Sequence, residues 1–215
     1  MIKVNVLAVR YLASANPTLS KALGAPKGYP CLAMLTADSD DPTYIALDEA
    51  TKAAAVEVVY GRSFYGGAGN ASTRLAGEVI GILGAKDPTQ ARSGLQAALG
   101  VLERLGFEKA NEAGDIVYLA HVVSASGSYL SHLAKVPQGT ALAYVIAPPM
   151  EALEGLDTAL KTAHVQMGAF FPPPTETNFA GALLTGSQSA CEAACRAFAQ
   201  RVQQVAQRPK AASGE

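Results

Sequence analysis

Four acidic side chains are the first candidates for chemistry in this chain of 215 residues. Asp38, Asp40 and Asp41 follow the apolar run 31–37, and Glu78 lies inside the apolar stretch LAGEVIG. Neighbouring carboxylates repel one another, and an ionised carboxylate among apolar residues is costly unless it is hydrated or paired. Two interpretations stay open: the acids form a solvated turn that caps the next helix, or they face a cation.

The usual catalytic constellations do not occur in the sequence. The three histidines, His121, His132 and His164, are far apart, and there is no nucleophile elbow, phosphate-binding loop, zinc-protease motif or Cys-x-x-Cys pair. The glycine-rich stretch YGGAGNAS at 65–72 precedes a predicted strand, whereas a phosphate cradle opens a helix. We predict no catalytic residue, no metal site and no cofactor. The remaining enzyme hypothesis uses acids alone, or a metal held by Asp38, Asp40 and a distant histidine.

Composition excludes several classes of partner. The formal net charge is −1 without a basic stripe, which disfavours nucleic-acid binding, and no apolar run approaches the roughly 20 residues that cross a bilayer. The N-terminal apolar stretch is short and contains Asn5, so it predicts a buried strand rather than a signal peptide. Apolar residues make up 49% and charged residues 16%, a balance typical of chains that bury surface in an oligomer.

The three cysteines are predicted to be buried, reduced thiols. Cys191 and Cys195 are four residues apart and therefore share one face of a helix, but no histidine neighbours them, and Cys31 is distant. An odd number of cysteines without a metal-ligand pattern is typical of a protein in a reducing cytosol.

The chain repeats itself after about 109 residues. LDEATKAAAV at 47–56 and LDTALKTAHV at 156–165 are identical at six of ten positions. The flanks match in the same order: CLAMLTA at 31 with ALAYVIA at 141, LSKAL at 19 with LSHLA at 130, and LAVR at 7 with LAHV at 119. The offset drifts by single residues, as loop insertions produce. We infer a duplicated unit of about 105–110 residues.

Both copies predict the same order of elements: strand, short helix, strand, helix, two strands and a closing helix. Asp48 and Asp157 are expected near the N-termini of their helices, where a carboxylate favours the helix dipole. Pro88 suits a first helical position and Ser187 an N-cap. The predicted bounds are 2–10, 17–23, 31–37, a helix around Asp48, 56–62, 75–84 and 88–105, and then 115–123, 128–134, 140–147, a helix around Asp157, 165–171, 179–186 and 187–206.

The predicted architecture is α/β, with two similar domains at 1–108 and 109–208 and a disordered polar tail at 209–215. A chain made of two similar halves favours closed cyclic assembly, since three such chains supply six similar domains around one axis.

The longer motifs resemble a known family. LDxALKxAxV is similar to the first helix and second strand of bacterial microcompartment shell domains. The stretches 36–63, 67–84, 123–131 and 171–195 resemble the tandem-domain, trimeric shell proteins of ethanolamine-utilisation microcompartments. The resemblance implies two circularly permuted shell domains, each a small sheet flanked by helices. It also implies a homotrimer with a hexagonal outline that tiles into a cytoplasmic shell with other shell proteins and lets small metabolites pass.

The resemblance also implies roles for individual residues. Asp41 and Glu78 match the acidic small-pore positions, where two carboxylates would favour an ammonium such as ethanolammonium. Lys52 and Lys161 match the lysine that shell domains lay along the tile edge. The segments around the central pore are matched by seven consecutive residues and one more distant aromatic: Phe64, Tyr65, Gly66, Gly67, Ala68, Gly69, Asn70 and Phe107.

One alternative to a structural, transporting tile comes from a different functional class. In it the chain is a soluble small-amine-binding or regulatory protein in which Asp41 and Glu78 hold an amine in a closed site. That hypothesis predicts stoichiometric amine binding and no two-dimensional assembly.

Overall fold

The computed structural model describes residues 1–64, 77–208 and 210, and these residues confirm the predicted α/β class. The chain divides into two compact units. The first unit comprises Lys3–Gly106 and Ser126–His132, and the second comprises Met1–Ile2, Phe107–Ala125 and Leu133–Glu215. Residues 126–132 therefore lie in the first unit, although they belong to the second copy of the sequence repeat.

The first unit is built on a four-stranded antiparallel sheet of order β2-β3-β5-β4. Helices α2 and α3 cover one face, where Leu35, Leu47 and Leu83 are buried, and a smaller cluster with Leu32 and Ile82 covers the other. Its elements are β2 (Val6–Leu12), α1 (Pro17–Ala22), β3 (Cys31–Ala37), α2 (Asp40–Ala53), β4 (Val56–Ser63), β5 (Val79–Ala85), α3 (Pro88–Leu102) and the start of α4 (Ser128–Ala134).

The second unit is built on a six-stranded sheet of order β1-β6-β7-β8-β10-β9. Helices α5 and α6 pack on it around the buried side chains of Val145, Leu156 and Phe198. Its elements are β1 (Ile2–Lys3), β6 (Gly106–Lys109), β7 (Val117–Val123), β8 (Leu142–Ala147), α5 (Pro149–Thr162), β9 (Gln166–Phe171), β10 (Ala180–Thr185) and α6 (Gln188–Gln207). Strand β6 has only four residues and was not predicted from the sequence.

The two sheets repeat each other in detail. Strands β7-β8-β10-β9 follow the same order as β2-β3-β5-β4. The pairing of β4 with β5 skips Val59, and the pairing of β9 with β10 skips Gly168, so both edge strands carry an irregularity at the same repeat position. Residues 109 apart therefore occupy equivalent places on α2 and α5 and on β4 and β9.

The expected placement of Asp48 and Asp157 is wrong. Helix α2 begins at Asp40 and α5 at Pro149, so both aspartates lie past the middle of their 14-residue helices. The acidic run that the sequence presented as a turn is instead the first turn of α2, where Asp40 and Asp41 meet the positive end of the helix dipole. Neither Asp48 nor Asp157 can act on that dipole from so far along its helix.

Several other local predictions are confirmed, and some bounds move. Pro88 occupies the first turn of α3, and the Ser187 side chain accepts a hydrogen bond from the Ala190 N–H at the start of α6. Strand β5 begins at Val79 rather than at 75, because Gly77 has φ +67°, which a strand does not adopt. The predicted strand 2–10 divides into β1 and β2.

All three cysteines are free and buried, as predicted. Burial raises the pKa of the Cys195 thiol to about 12 and also raises the pKa of Cys191. A thiol with so high a pKa carries almost no thiolate near neutral pH. These two cysteines therefore act as small apolar side chains in the core around α6.

Candidate functional site

Three strand ends of the first unit meet at one edge of its sheet. Strand β3 ends at Ala37, β4 ends at Ser63, and β5 begins at Val79. Val79 is the register partner of both Ala37 and Ser63 because the strands are antiparallel. The acidic residues predicted from sequence follow β3 or precede β5 at this edge. The sheet thus brings residues 38–41 and Glu78 to the same end of one unit.

The three aspartates have different local roles. Asp38 accepts hydrogen bonds from the Asn5 backbone N–H at 2.8 Å and from the Asn5 Nδ2 at 2.6 Å. Asp40 accepts from the Asp41 N–H at 2.9 Å and from the Ser63 Oγ at 2.8 Å. Asp40 and Asp41 are both buried, with exposed fractions of 8% and 6%. Asp40 and Asp41 therefore lie in the first turn of α2, whose N-cap residue Ser39 makes no side-chain capping hydrogen bond, and their burial distinguishes these two acids from a solvated turn.

Tyr44 completes this polar group from the next turn of α2. Its hydroxyl lies 2.5 Å from the Ser63 Oγ, which in turn donates to Asp40. Burial raises the pKa of the Tyr44 phenol, the Ser63 hydrogen bond opposes that rise, and the carboxylates of Asp40 and Asp41 add to it. The phenol is therefore neutral at physiological pH. Sequence reasoning missed Tyr44 and Ser63, because nothing in their spacing links them to the aspartates.

Glu78 lies directly before β5 and is half-buried. Its backbone N–H donates to the Ala37 carbonyl at 2.8 Å, and its carbonyl accepts from the Phe64 N–H at 2.8 Å. Backbone contacts therefore fix Glu78 and Phe64 beside the end of β3. Residues 65–70 of the predicted central-pore segment, Tyr65, Gly66, Gly67, Ala68, Gly69 and Asn70, lie outside the described residues.

Phe107, the other predicted central-pore residue, lies on β6 in the second unit. Its ring packs edge-on against Phe179 with the ring centroids 5.6 Å apart. The predicted pore residues thus divide between the units: Asp41, Glu78 and Phe64 share one sheet edge, whereas Phe107 belongs to a separate aromatic pair.

Lys52 and Lys161 occupy the same position in the last turns of α2 and α5. The Lys52 ammonium pairs with Glu49 and lies 4.0 Å from Asp48, and its side chain is 26% exposed. The Lys161 ammonium lies 2.6 Å from the Asp157 carboxylate, and its side chain is 73% exposed. Both ammonium groups are paired within their own helix. These pairs leave the aliphatic stems able to pack against a neighbouring surface.

The described residues contain no metal-binding cluster and no helix that could span a membrane. Across residues 1–64, 77–208 and 210, histidine, cysteine, aspartate and glutamate form no group of three or more that could hold a metal ion. No helix in this part of the chain is long and apolar enough to span a bilayer.

Comparison with known proteins adds full-length relatives. No protein-family model matches the chain. A curated relative from Clostridium perfringens, "Bacterial microcompartment shell protein EutL", is 58% identical over 210 residues, which cover 97% of each chain. The crystal structure of EutL from that organism aligns with a TM-score of 0.95 over 97% of this chain and 96% of its own.

Two further solved structures are similar to this chain. The crystal structure of ethanolamine utilization protein EutL from Leptotrichia buccalis is 54% identical, covers 98% of both chains and gives a TM-score of 0.96. A trimeric bacterial microcompartment shell protein, PduB, aligns with a TM-score of 0.75 over 94% of this chain and 89% of its own. At 20% identity, the PduB structure supports the fold alone.

Proposed function

The chain belongs to the bacterial microcompartment shell proteins of the EutL type, and we propose that three copies assemble into a pseudohexagonal tile of an ethanolamine-utilisation shell. The observation that carries the proposal is 58% identity over 97% of the chain, together with the same fold over the same length. The chain is a structural protein and not an enzyme. The proposed location is the shell of a cytoplasmic microcompartment, beside other shell proteins.

The duplicated units support a three-fold assembly. Two sheets of the same strand order in one chain supply two of six similar sides, so three chains close a ring. In this proposal the residue ranges 1–108 and 109–208 are the two shell domains.

The lysine pair supports lateral packing of tiles. Lys52 and Lys161 are equivalent, and both stand at the end of a helix. We place their stems along the edge of the tile, where each would pack on a neighbouring tile and donate to its carbonyl groups. The two lysines are therefore proposed as tile-edge residues.

Small metabolites are proposed to pass through openings in the tile. Asp41 and Glu78 are two carboxyl groups at one edge of the sheet of the first unit, where Asp41 is buried and Glu78 is half-buried. A narrow opening lined by such groups favours a small ammonium ion by Coulomb attraction. Ethanolammonium is the proposed metabolite. Phe64 and Phe107, the described residues of the predicted central-pore set, are proposed to lie beside a separate, central opening.

Sheet formation tests the tile. We expect the wild-type protein to sediment as a trimer and to form flat sheets at high concentration, visible by negative-stain electron microscopy. The double substitution K52A/K161A should preserve the trimer and abolish the sheets, because both edge contacts lose their stems. K27A/K109A is the matched control, since it removes two exposed lysines that lie outside α2 and α5. Unchanged sheets in K52A/K161A would reject the edge assignment, and a monomeric wild type would reject the tile.

A further inference from the structure

One side of the first unit holds residues 127–130 in a specific contact. The Asp48 Oδ2 accepts from the Gly127 N–H at 2.7 Å and its Oδ1 accepts from the Leu130 N–H at 2.8 Å. The Thr51 Oγ1 accepts from the Ser128 N–H at 3.0 Å. Asp48 and Leu130 are both fully buried, with exposed fractions of 0%. We call this the filled contact, because residues 127–130 cover the surface around Asp48 in the first unit.

An aromatic side chain completes the filled contact. The Tyr129 ring lies 6.0 Å from that of Tyr44, between ring centroids. Its hydroxyl reaches the backbone of β4, where a Cβ added to Gly61 would lie only 2.9 Å from the Tyr129 Oη. Any side chain larger than hydrogen at position 61 would therefore push against Tyr129.

The second unit carries the equivalent surface, and there that surface is exposed. The residues 109 positions after Tyr44, Asp48, Thr51 and Gly61 define what we call the acceptor surface: Leu153, Asp157, Leu160 and Phe170. The strand register agrees, since Gly61 pairs with Gly81 and Phe170 pairs with the equivalent Ala182. The three apolar members are 38–43% exposed, and the Asp157 side chain is 60% exposed, against 0% for Asp48.

The first copy of the repeat carries the matching segment. Residues 16–19, which we call the docking segment, correspond to 127–130 at an offset of 111. Leu12 pairs with Leu32 as Val123 pairs with Leu142, which fixes that offset in the structure. All four residues of the docking segment are exposed, and Leu19 is 45% exposed where Leu130 is fully buried. Both members of the second contact are therefore exposed in one chain.

The differences between the two copies compensate one another. Ser128 donates its N–H to the Thr51 hydroxyl, and their counterparts are Pro17, which has no N–H, and Leu160, whose side chain has no acceptor. Tyr129 requires Gly61, and their counterparts are the smaller Thr18 and the larger Phe170. The aspartate and the N–H groups that it would accept, at Asn16 and Leu19, are retained. Paired differences of this kind are expected where two surfaces contact each other.

We propose that the docking segment of one copy of this chain binds the acceptor surface of a second copy, with Asp157 accepting the Asn16 and Leu19 N–H groups. Thr18 packs against Phe170, and Pro17 packs against Leu160. The contact is head-to-tail, because each chain offers one docking segment and one acceptor surface, and it closes when the last chain meets the first. This inference rests on the proposed function, in which three copies form the ring. On docking, Asp157 exchanges its solvent-exposed pairing with Lys161 for backbone donors.

A compensating exchange tests the contact. T18Y places a tyrosine against Phe170 and should shift the protein from trimer to monomer in sedimentation velocity. T18Y/F170G rebuilds the Tyr129–Gly61 pairing and should restore the trimer. T89Y is the matched control, because Thr89 is also an exposed residue after a proline in the first turn of a helix. D157A, which adds no bulk, should weaken association by about tenfold or more per contact, since it removes a charged acceptor of two hydrogen bonds.

The outcomes separate this inference from the proposed function. A trimeric wild type with trimeric T18Y and D157A would overturn the docking contact and leave the tile standing. If T18Y is folded by circular dichroism and T18Y/F170G does not return to the trimer, the pairing of Thr18 with Phe170 is overturned. A wild type that is monomeric at every concentration would overturn the tile itself.

Discussion

Glu78 is held in place by its backbone. Hydrogen bonds to Ala37 and from Phe64 set its position at the sheet edge, directly before the start of β5. The equivalent of Asp41 in the second copy is Met150, which is 70% exposed and carries no charge. The second copy has a single acid in the first turn of α5, Glu151, so the run of acids at this edge is a property of the first unit, which is why we assign it a function beyond folding.

The proposed amine preference of that edge predicts weak, charge-selective binding. We expect isothermal titration calorimetry on the wild-type trimer to detect ethanolammonium but not ethylene glycol, a neutral molecule of similar size. E78Q should weaken amine binding by about threefold to tenfold, because one carboxylate is lost from a partly desolvated site. E112Q, an exposed glutamate of the second unit, is the control. Equal heats for the amine and the glycol, or an unchanged E78Q, would contradict a carboxylate-lined amine site.

The helices approach each other and the sheets through small residues. Gly81 lies on β5 where a Cβ would come within 2.8 Å of Leu47, and Gly94 does the same on α3 opposite Val56, at 2.9 Å. On α5, a Cβ at Gly155 would lie 2.7 Å from the ring of the fully buried Phe198. The glycines that cost helix propensity therefore set the spacing of the layers.

Two glycines in helices should respond to alanine with opposite signs. G155A forces the Phe198 ring to move and should destabilise the protein by about 1–3 kcal/mol in urea unfolding. G100A lies in α3 with nothing within 4 Å of the added Cβ. It should stabilise by about 0.5–1 kcal/mol, because the unfolded chain loses conformational freedom. A neutral or stabilising G155A would mean that α5 and α6 do not pack as closely as the structure has them.

Local patterns were enough to predict some elements, whereas others depended on contacts distant in sequence. Strand β3 and helix α4 have the predicted bounds, because an apolar run and a serine-initiated turn are local signals. The start of α2 was missed, since three aspartates are as compatible with a turn as with a first helical turn. At the site, Asp41 and Glu78 were found as candidates, but the link from Asp40 through Ser63 to Tyr44 was not, because it joins residues 19–23 positions apart.

The whole chain shows why a duplication need not be symmetric. The repeat conserves the sheet order, the strand irregularity and the buried helix face, yet the acids and the docking pairs differ between copies. In the first unit the surface around Asp48 is covered by residues of the same chain, and in the second unit its equivalent is exposed. An exposed surface containing Leu153, Leu160 and Phe170 makes the stability of the chain depend on what covers it.

Thermal stability should therefore depend on protein concentration. If the native protein is a trimer that unfolds to single chains, each tenfold rise in concentration adds about 1 kcal/mol per chain, which corresponds to about 2–4 °C in Tm for a chain of this size. Differential scanning calorimetry over a hundredfold range should show this slope for wild type and for T89Y. The Tm of T18Y should not depend on concentration and should lie at or below the lowest wild-type Tm. The reason is that its docking contact is blocked while its units remain folded. A wild-type Tm that does not change with concentration would show that the exposed surface of the second unit contributes nothing through association.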